Sequence, residues 1–234
     1  MPIAERARDL SWYHTLELEP GVETEGMFDL RPVVNRYGLP ERMDGLRALD
    51  VGTWDGFWAF EMERRGAEVV AIDLDDESRL DYPANRRPAS FPSAPRGAGF
   101  RLAHEALGSS VERVDCSVYD ARPEQLGTFD VVFCGSVLIH LRDQVLALER
   151  IAGLCRDTFL SIESYDRLID LLPFPVSRYR AHRDADIVFW EPNRRAWKAM
   201  MASAGFTSVE QLGRFQLQAR AGWSVRHVAV RARL

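Results

Sequence analysis

The residues best suited to chemistry fall between Asp50 and Asp73. The turn Asp50-Val-Gly52-Thr-Trp54-Asp55-Gly56 follows an apolar run of strand length, and a second apolar run closes on Asp73. Gly52 and Gly56 bracket a turn whose backbone can approach a ligand closely. A dinucleotide site needs three closely spaced glycines so that a pyrophosphate can sit on a helix N-terminus. Here Trp54 fills the middle glycine position, and Asp55 adds negative charge where a pyrophosphate needs the opposite. A nucleoside with a cationic centre suits the turn better. Asp73, with Leu74 beside it, can accept both hydroxyls of a ribose.

These residues need a frame of alternating strands and helices. Leu46–Val51 and Glu68–Ile72 read as buried strands, and Phe57 to Arg65 as a helix stopped by Gly66. Phe100–Leu107 reads as a helix ending at Gly108. Val111–Val118 is a third strand, with Ser117 and Val118 at its end. Phe129–Cys134 is the fourth, followed by Gly135-Ser136 and Val137-Leu-Ile-His140-Leu. Gln144–Leu154 has one apolar face, as an amphipathic helix does. Thr158–Glu163 is a fifth strand, ending in Glu163-Ser164-Tyr165. Asn193 can cap a helix from Arg194 to Ala204, and Ser208–Gln218 with Trp223–Ala232 alternates like a terminal hairpin. The count implies an α/β fold with a doubly wound, seven-stranded, mostly parallel sheet.

Three stretches lie outside this frame. Residues 1–45 form a polar leader with embedded Trp12, Tyr13, His14 and Phe28, ahead of a domain at 46–234. The leader reads either as a lid that shields a reaction from water or as a tail pinned to the core by Trp12 and Phe28. Pro32 to Arg42 can start a short helix. Residues 83–99 are a proline-rich loop, functional or mobile. Residues 166–190 are an insertion carrying Arg178, Tyr179, Arg180, His182 and Arg183.

Composition bounds the partners. At 234 residues, 46% hydrophobic and with a net charge of -5, the chain can fill a substantial core and is no strongly basic binder of nucleic acid. Lys198 is the only lysine, which reads as GC-rich codon usage. Cys116, Cys134 and Cys155 read as reduced core residues of a cytoplasmic protein. The charged N-terminus lacks an apolar signal core, and no apolar run is long enough to cross a membrane. No Cys/His spacing suits zinc, and no clustered acidic set at the crest calls for a divalent ion, so no metal ligands are assigned; whether a divalent ion is needed is not legible. The oligomeric state is not legible.

The segments WYHTLEL, GMFDLR, LDVGTWDG, FDVVFCGSVLIHLRD and FWEPNRRAWKAMMASAGF stand in this order between Trp12 and Phe206. Together they resemble the class I S-adenosylmethionine (SAM) methyltransferases, of the branch that includes tRNA wobble-uridine carboxymethyltransferases and small-molecule O-methyltransferases. The resemblance implies a Rossmann-like fold closed by an antiparallel last pair of strands. It implies SAM as cofactor, S-adenosylhomocysteine (SAH) as product, and a cofactor site from Asp50, Gly52, Trp54, Gly56, Asp73, Leu74, Ser117, Val118, Cys134 and Gly135. Three departures argue against the tRNA enzyme. Only eleven residues precede Trp12, where that enzyme has a sizeable helical region. Its crest reads Val-Leu-Tyr-His, and here Ile139 replaces the Tyr that suits the carboxyl group of carboxy-SAM. The chain is acidic, although arginines 86, 87 and 96 with 178, 180 and 183 could form a patch.

Methyl transfer to oxygen is an in-line displacement, and the acceptor must lose a proton. His140, after the fourth strand, is the first candidate base, with a cofactor-stacking or structural role as its alternative. His14 and His182 are rivals if their segments fold over the site; His104 and His227 read as structural. Glu163 should face the pocket, binding substrate hydroxyls or orienting His140. Tyr13, Tyr165 and Tyr179 could hydrogen-bond a substrate, and Phe174 or Trp190 could stack on one. The expectation is an O-methyltransferase acting on a small hydroxylated metabolite, a sugar or glycosylated natural product in bacterial secondary metabolism. The alternatives are a tRNA-modifying enzyme and a non-catalytic SAM-binding protein.

Overall fold

The computed structural model describes residues 1–92, 95–180 and 187–234. The apolar runs become β1 (Arg47–Val51), β2 (Glu68–Asp73), β3 (Glu112–Asp115), β4 (Phe129–Gly135), β5 (Cys155–Ser164), β6 (Ser208–Gln218) and β7 (Ser224–Arg233). They form one seven-stranded sheet in the order β6-β7-β5-β4-β1-β2-β3. The first five strands pair in parallel. β7 runs antiparallel to both its neighbours, β5 and β6. The terminal pair therefore closes one end of the sheet as expected, but the antiparallel strand is inserted one place in from the edge.

The central parallel strands are apolar on both sides because helices cover both faces, whereas the edge strand β3 is polar. One face packs α2 (Phe57–Arg64), α3 (Ala98–Leu107) and the N-terminal segment, through Trp58, Phe60, Phe100, Trp12, Phe28 and Tyr37. The other packs α5 (Gln144–Leu154) and α6 (Arg194–Ser203), through Leu148, Ile151, Trp197 and Met201. Short helices α1 (Ile3–Arg8) and α4 (Pro123–Leu126) complete the set. The caps fix the boundaries. Asp143 Oδ1 accepts from Leu146 N at 2.9 Å, and Asn193 Oδ1 from Ala196 N at 2.8 Å. Past the C-terminus of α2, Gly66 turns the chain at φ 103°, where any side chain would be strained.

The expected helix after Pro32 is a 3-10 turn at Val34–Tyr37, and a second 3-10 turn follows β2 at Glu77–Arg79. Both segments lack the apolar stripe that longer helices bury. Within the insertion, Ser177–Tyr179 pairs with Trp190–Pro192 in a small ribbon. No helix among the described residues is long and apolar enough to cross a membrane.

The N-terminal segment is bound to the domain along its length. Thr15 N donates to Phe28 O at 2.8 Å and Phe28 N to Tyr13 O at 2.9 Å, so residues 13–15 and 27–28 lie side by side. Arg220, in the β6–β7 turn, donates its backbone N to Met27 O at 2.8 Å. The two ends of the chain thus meet over the same stretch of the sheet.

Candidate active site

The carboxyl ends of β1 and β4 diverge at the point where the strand order reverses, and an open α/β sheet binds its ligand there. The turn after β1 is held in a costly conformation. Gly52 has φ 74° and Trp54, a non-glycine, φ 49°. A Cβ on Gly52 would meet Val137 at 2.4 Å, so glycine lets the turn press against the loop after β4. Asp73, at the end of β2, ties the turn down: its Oδ2 accepts from Trp54 N at 2.8 Å and its Oδ1 from Leu74 N at 2.7 Å. Arg96 lies 3.7 Å from Asp73 Oδ1 and stacks 4.2 Å over the Trp54 ring. Arg96 comes from the long loop, where the sequence marked it only as part of a candidate basic patch.

Asp55 does not present its charge to the ligand space. It is buried and accepts three hydrogen bonds from the N-terminal segment: Tyr13 N at 2.9 Å, His14 N at 2.7 Å and His14 Nδ1 at 2.6 Å. The turn's negative charge is thus used to fasten the leader, and His14 stacks on Phe57 at 5.1 Å.

Beyond β4 the chain runs through Ser136, at φ 56°, into a 3-10 turn, Leu138–His140. Glu163 lies beneath this crest. Its Oε1 accepts from Val137 N at 3.1 Å and Leu138 N at 3.0 Å, and burial pushes its carboxyl up to about 8. His140 Nδ1 lies 3.0 Å from Ile187 O, and Phe189 N donates to Ile139 O at 2.9 Å. A carbonyl only accepts, so Nδ1 carries a proton and the lone pair of the neutral ring is on Nε2. Ser136 Oγ is 2.9 Å from His227 Nε2, and the Tyr13 phenol is held against Ser136.

A cavity of about 770 Å³ joins these groups. Its lining runs from Ser117 and Val118 beyond β3 to Val225 and His227 on β7. That is five strand-to-strand steps, or roughly 24 Å at 4.8 Å each. Of the residues expected to hold a cofactor, Gly52, Trp54, Asp73, Leu74, Ser117, Val118 and Gly135 stand on the wall, as do His14, His140 and Tyr13.

Several expected site residues are not on the wall. Gly56 is buried at the start of α2, where a Cβ would strike Phe60 at 2.3 Å and Phe100 at 2.8 Å; its glycine serves helix packing. Asp50 is buried within the sheet, and burial pushes its carboxyl up to about 7. Cys134 is fully buried. Glu163 supports the crest backbone from below and does not face the cavity. Tyr165 packs against the α5–α6 core, with Arg194 5.7 Å from its ring. Tyr179 and Phe174 are exposed on the insertion, and Trp190 donates to Arg142 O at 3.1 Å. His182 lies outside the described residues.

The reverse case is His227, expected to be structural and found on the wall. Antiparallel pairing sets it opposite Ser164 and its ring reaches the wall. Nothing local in the strand pattern marks that position. Among the described residues no group of three or more His, Cys, Asp or Glu could hold a metal ion.

The wall residues fit an adenosyl amino acid. An acidic side chain stands at the end of β2, a tight turn beside it, and a half-apolar corner of Leu74, Ser117 and Val118 next to both. The comparisons agree. The model of the methyltransferase domain family matches residues 26–211. The chain is 25% identical over 166 residues to a tRNA U34 carboxymethyltransferase of Desulforapulum autotrophicum, covering 70% of this chain and 45% of that protein. It is 35% identical over 127 residues to a ubiquinone biosynthesis O-methyltransferase of Xanthomonas campestris, covering 53% of this chain and 43% of that one. The chain thus spans about half the length of these curated relatives. In fold it is similar to the N-terminal domain of EvdMO1, crystallised with SAH bound, at a TM-score of 0.69 and 21% identity over 99% of this chain and 95% of that one. The matched domain covers most of the chain, which belongs to the class I SAM-dependent methyltransferases.

Proposed function

We propose that the chain transfers a methyl group from SAM to a hydroxyl of a small metabolite, and that the acceptor is a sugar or glycosylated natural product of bacterial secondary metabolism. The observation that carries the reading is the span of the cavity. Its β1–β3 half suits the nucleoside, and a second half, under His140, Met27 and Trp223, is left for an acceptor. The names of relatives add support: one is an O-methyltransferase, and the EvdMO1 domain was also crystallised in the presence of SAH and D-fucose.

Bound SAM supplies an electrophilic methyl on a sulfonium. The chain's own residues do the rest. Asp73 accepts the ribose hydroxyls, while Leu74, Ser117 and Val118 flank the adenine. The N-terminal segment, with Ile187 and Val188, walls the reacting centre from water. His140 Nε2 takes the proton of the acceptor hydroxyl as the oxygen attacks, its ring oriented by the bond from Nδ1 to Ile187 O.

The tRNA reading has the carboxymethyltransferase relative in its favour. Against it, Arg178 is paired with Asp166 and Glu191, and Arg180 with Glu191, which compensates two arginines of the basic patch on which tRNA would rest.

Label transfer from methyl-labelled SAM to a panel of sugars and glycosides tests the proposal. In His140→Gln, kcat should fall by about 10²–10⁴ with SAH affinity within a few-fold of the parent. Unchanged turnover would remove His140 as the base.

A further inference from the structure

Three polar groups on the acceptor side of the cavity have no part in the steps above. Ser136 comes from the crest, His227 from β7 and Tyr13 from the N-terminal segment. They converge although they are far apart in sequence, and Ser136 is held at φ 56° to do so. The hold is specific: Ser136 N donates to Ile162 O at 2.7 Å while its Oγ meets His227 Nε2 at 2.9 Å. His227 is 2% exposed. Beside them stands an apolar shelf of Met27, Phe28 and Trp223, with Phe28 and Trp223 edge to face at 5.5 Å.

We propose that Ser136, His227 and Tyr13 form a subsite that reads a non-reacting hydroxyl of an uncharged, polyhydroxylated ring whose apolar face lies on Phe28 and Trp223. This rests on the methyltransferase reading and names the class of its acceptor.

The chemistry of the three groups selects that ligand. Burial pushes His227 down to about 4 and Tyr13 up to about 12, so all three are neutral near pH 7. A carboxylate or phosphate would need a cation here. The four arginines on the wall among the described residues are engaged elsewhere: Arg79 with Asp115, Arg96 with Asp73, Arg142 with Asp81, and Arg87 with Ser78 O at 2.6 Å and the Phe91 ring. A hydroxyl asks for one donor and one acceptor. When Ser136 donates to His227, its oxygen keeps a lone pair for an incoming hydroxyl, and the Tyr13 phenol can donate beside it. A histidine titrating at about 4 is a poor base at neutral pH, so the pair orients the ring and His140 remains the proton acceptor. Aromatic side chains suit the C–H face of such a ring, and the polar floor fixes its rotation.

The test is calorimetric. The protein is first saturated with SAH, then titrated with neutral methyl hexopyranosides and with the matching hexuronates. At least one neutral glycoside should bind at millimolar concentration or better, and more tightly than its uronate. Ser136→Gly, which relieves the positive φ, and Tyr13→Phe, which removes one oxygen, should each weaken that binding about tenfold, with SAH affinity unchanged. Tighter binding of the uronate, unaltered affinity in both variants, or no binding of any neutral glycoside to the SAH-loaded protein would overturn the proposal. Failure of the parent protein to take up SAH at the first step would instead remove the methyltransferase reading, and the subsite with it.

Discussion

At the scale of single residues, the decisive group is Asp73. It already accepts two backbone N–H bonds, from Trp54 and Leu74, and stands near Arg96. Its carboxylate therefore shapes the turn, and in the proposed reading it also accepts the ribose hydroxyls. Asp73→Ala should weaken SAH binding about 10- to 100-fold, since hydrogen bonds to a charged group contribute about 1.5–3 kcal/mol. Titration calorimetry measures this, and unchanged affinity would displace the nucleoside corner. Asp73 was legible because strand, glycine turn and acidic strand end form a local pattern. His227 was not, because only the register of β7 against β5 brings it to the wall. Glu163 was misread for a related reason. Its place at a strand end was right, but the side chain turned under the crest, where two backbone N–H groups needed an acceptor.

At the scale of elements, caps and glycines carried the sequence reading. α5 and β6 fall at their expected bounds because Asp143 caps the one and an alternating pattern fills the other. The leader's attachment was harder to read, since two readings, lid and pinned tail, shared the same aromatics. Trp12 and Phe28 are buried, yet Tyr13, His14 and Met27 line the cavity, so one segment has both packing and wall positions. Asp55 is the fastening. Asp55→Ala would leave the N–H groups of Tyr13 and His14 and the His14 ring without their acceptor, and buried groups so stranded cost about 1–3 kcal/mol each. The variant should lose about 2–5 kcal/mol of stability in denaturant unfolding and become more sensitive to proteolysis within residues 1–30. A loss under 1 kcal/mol, on the order of a surface substitution, would mean that the segment is held by its apolar contacts alone.

At the scale of the whole molecule, two buried carboxyls and one buried imidazole set a pH dependence. Asp50 rises to about 7 and Glu163 to about 8, so the folded state keeps protons that the unfolded chain gives up near 4. His227 falls to about 4, so the folded state lacks a proton that the unfolded chain holds up to about 6.5. The carboxyls lower stability as pH rises, and His227 raises it between about 4 and 6.5, offsetting one of them. Above 6.5 only the carboxyls act, and stability should fall toward pH 8. Glu163→Gln should flatten that fall in urea unfolding series, whereas an equally steep fall would place the ionised carboxylate in the fold. The overall architecture was legible in the alternation of strand and helix patterns, and the insertion of β7 between β5 and β6 was not, since a hairpin pattern does not say which of its strands faces the sheet. The central claim is the SAM site at the β1–β2–β4 crest, and calorimetric titration of the purified protein with SAH, then SAM, then carboxy-SAM tests it most directly. Micromolar-range binding of SAH and SAM, with carboxy-SAM no tighter because Ile139 offers its carboxyl group no hydrogen bond, is the expected result. Absence of binding by all three would contradict the reading of the crest, and a clear preference for carboxy-SAM would contradict the choice of ordinary SAM.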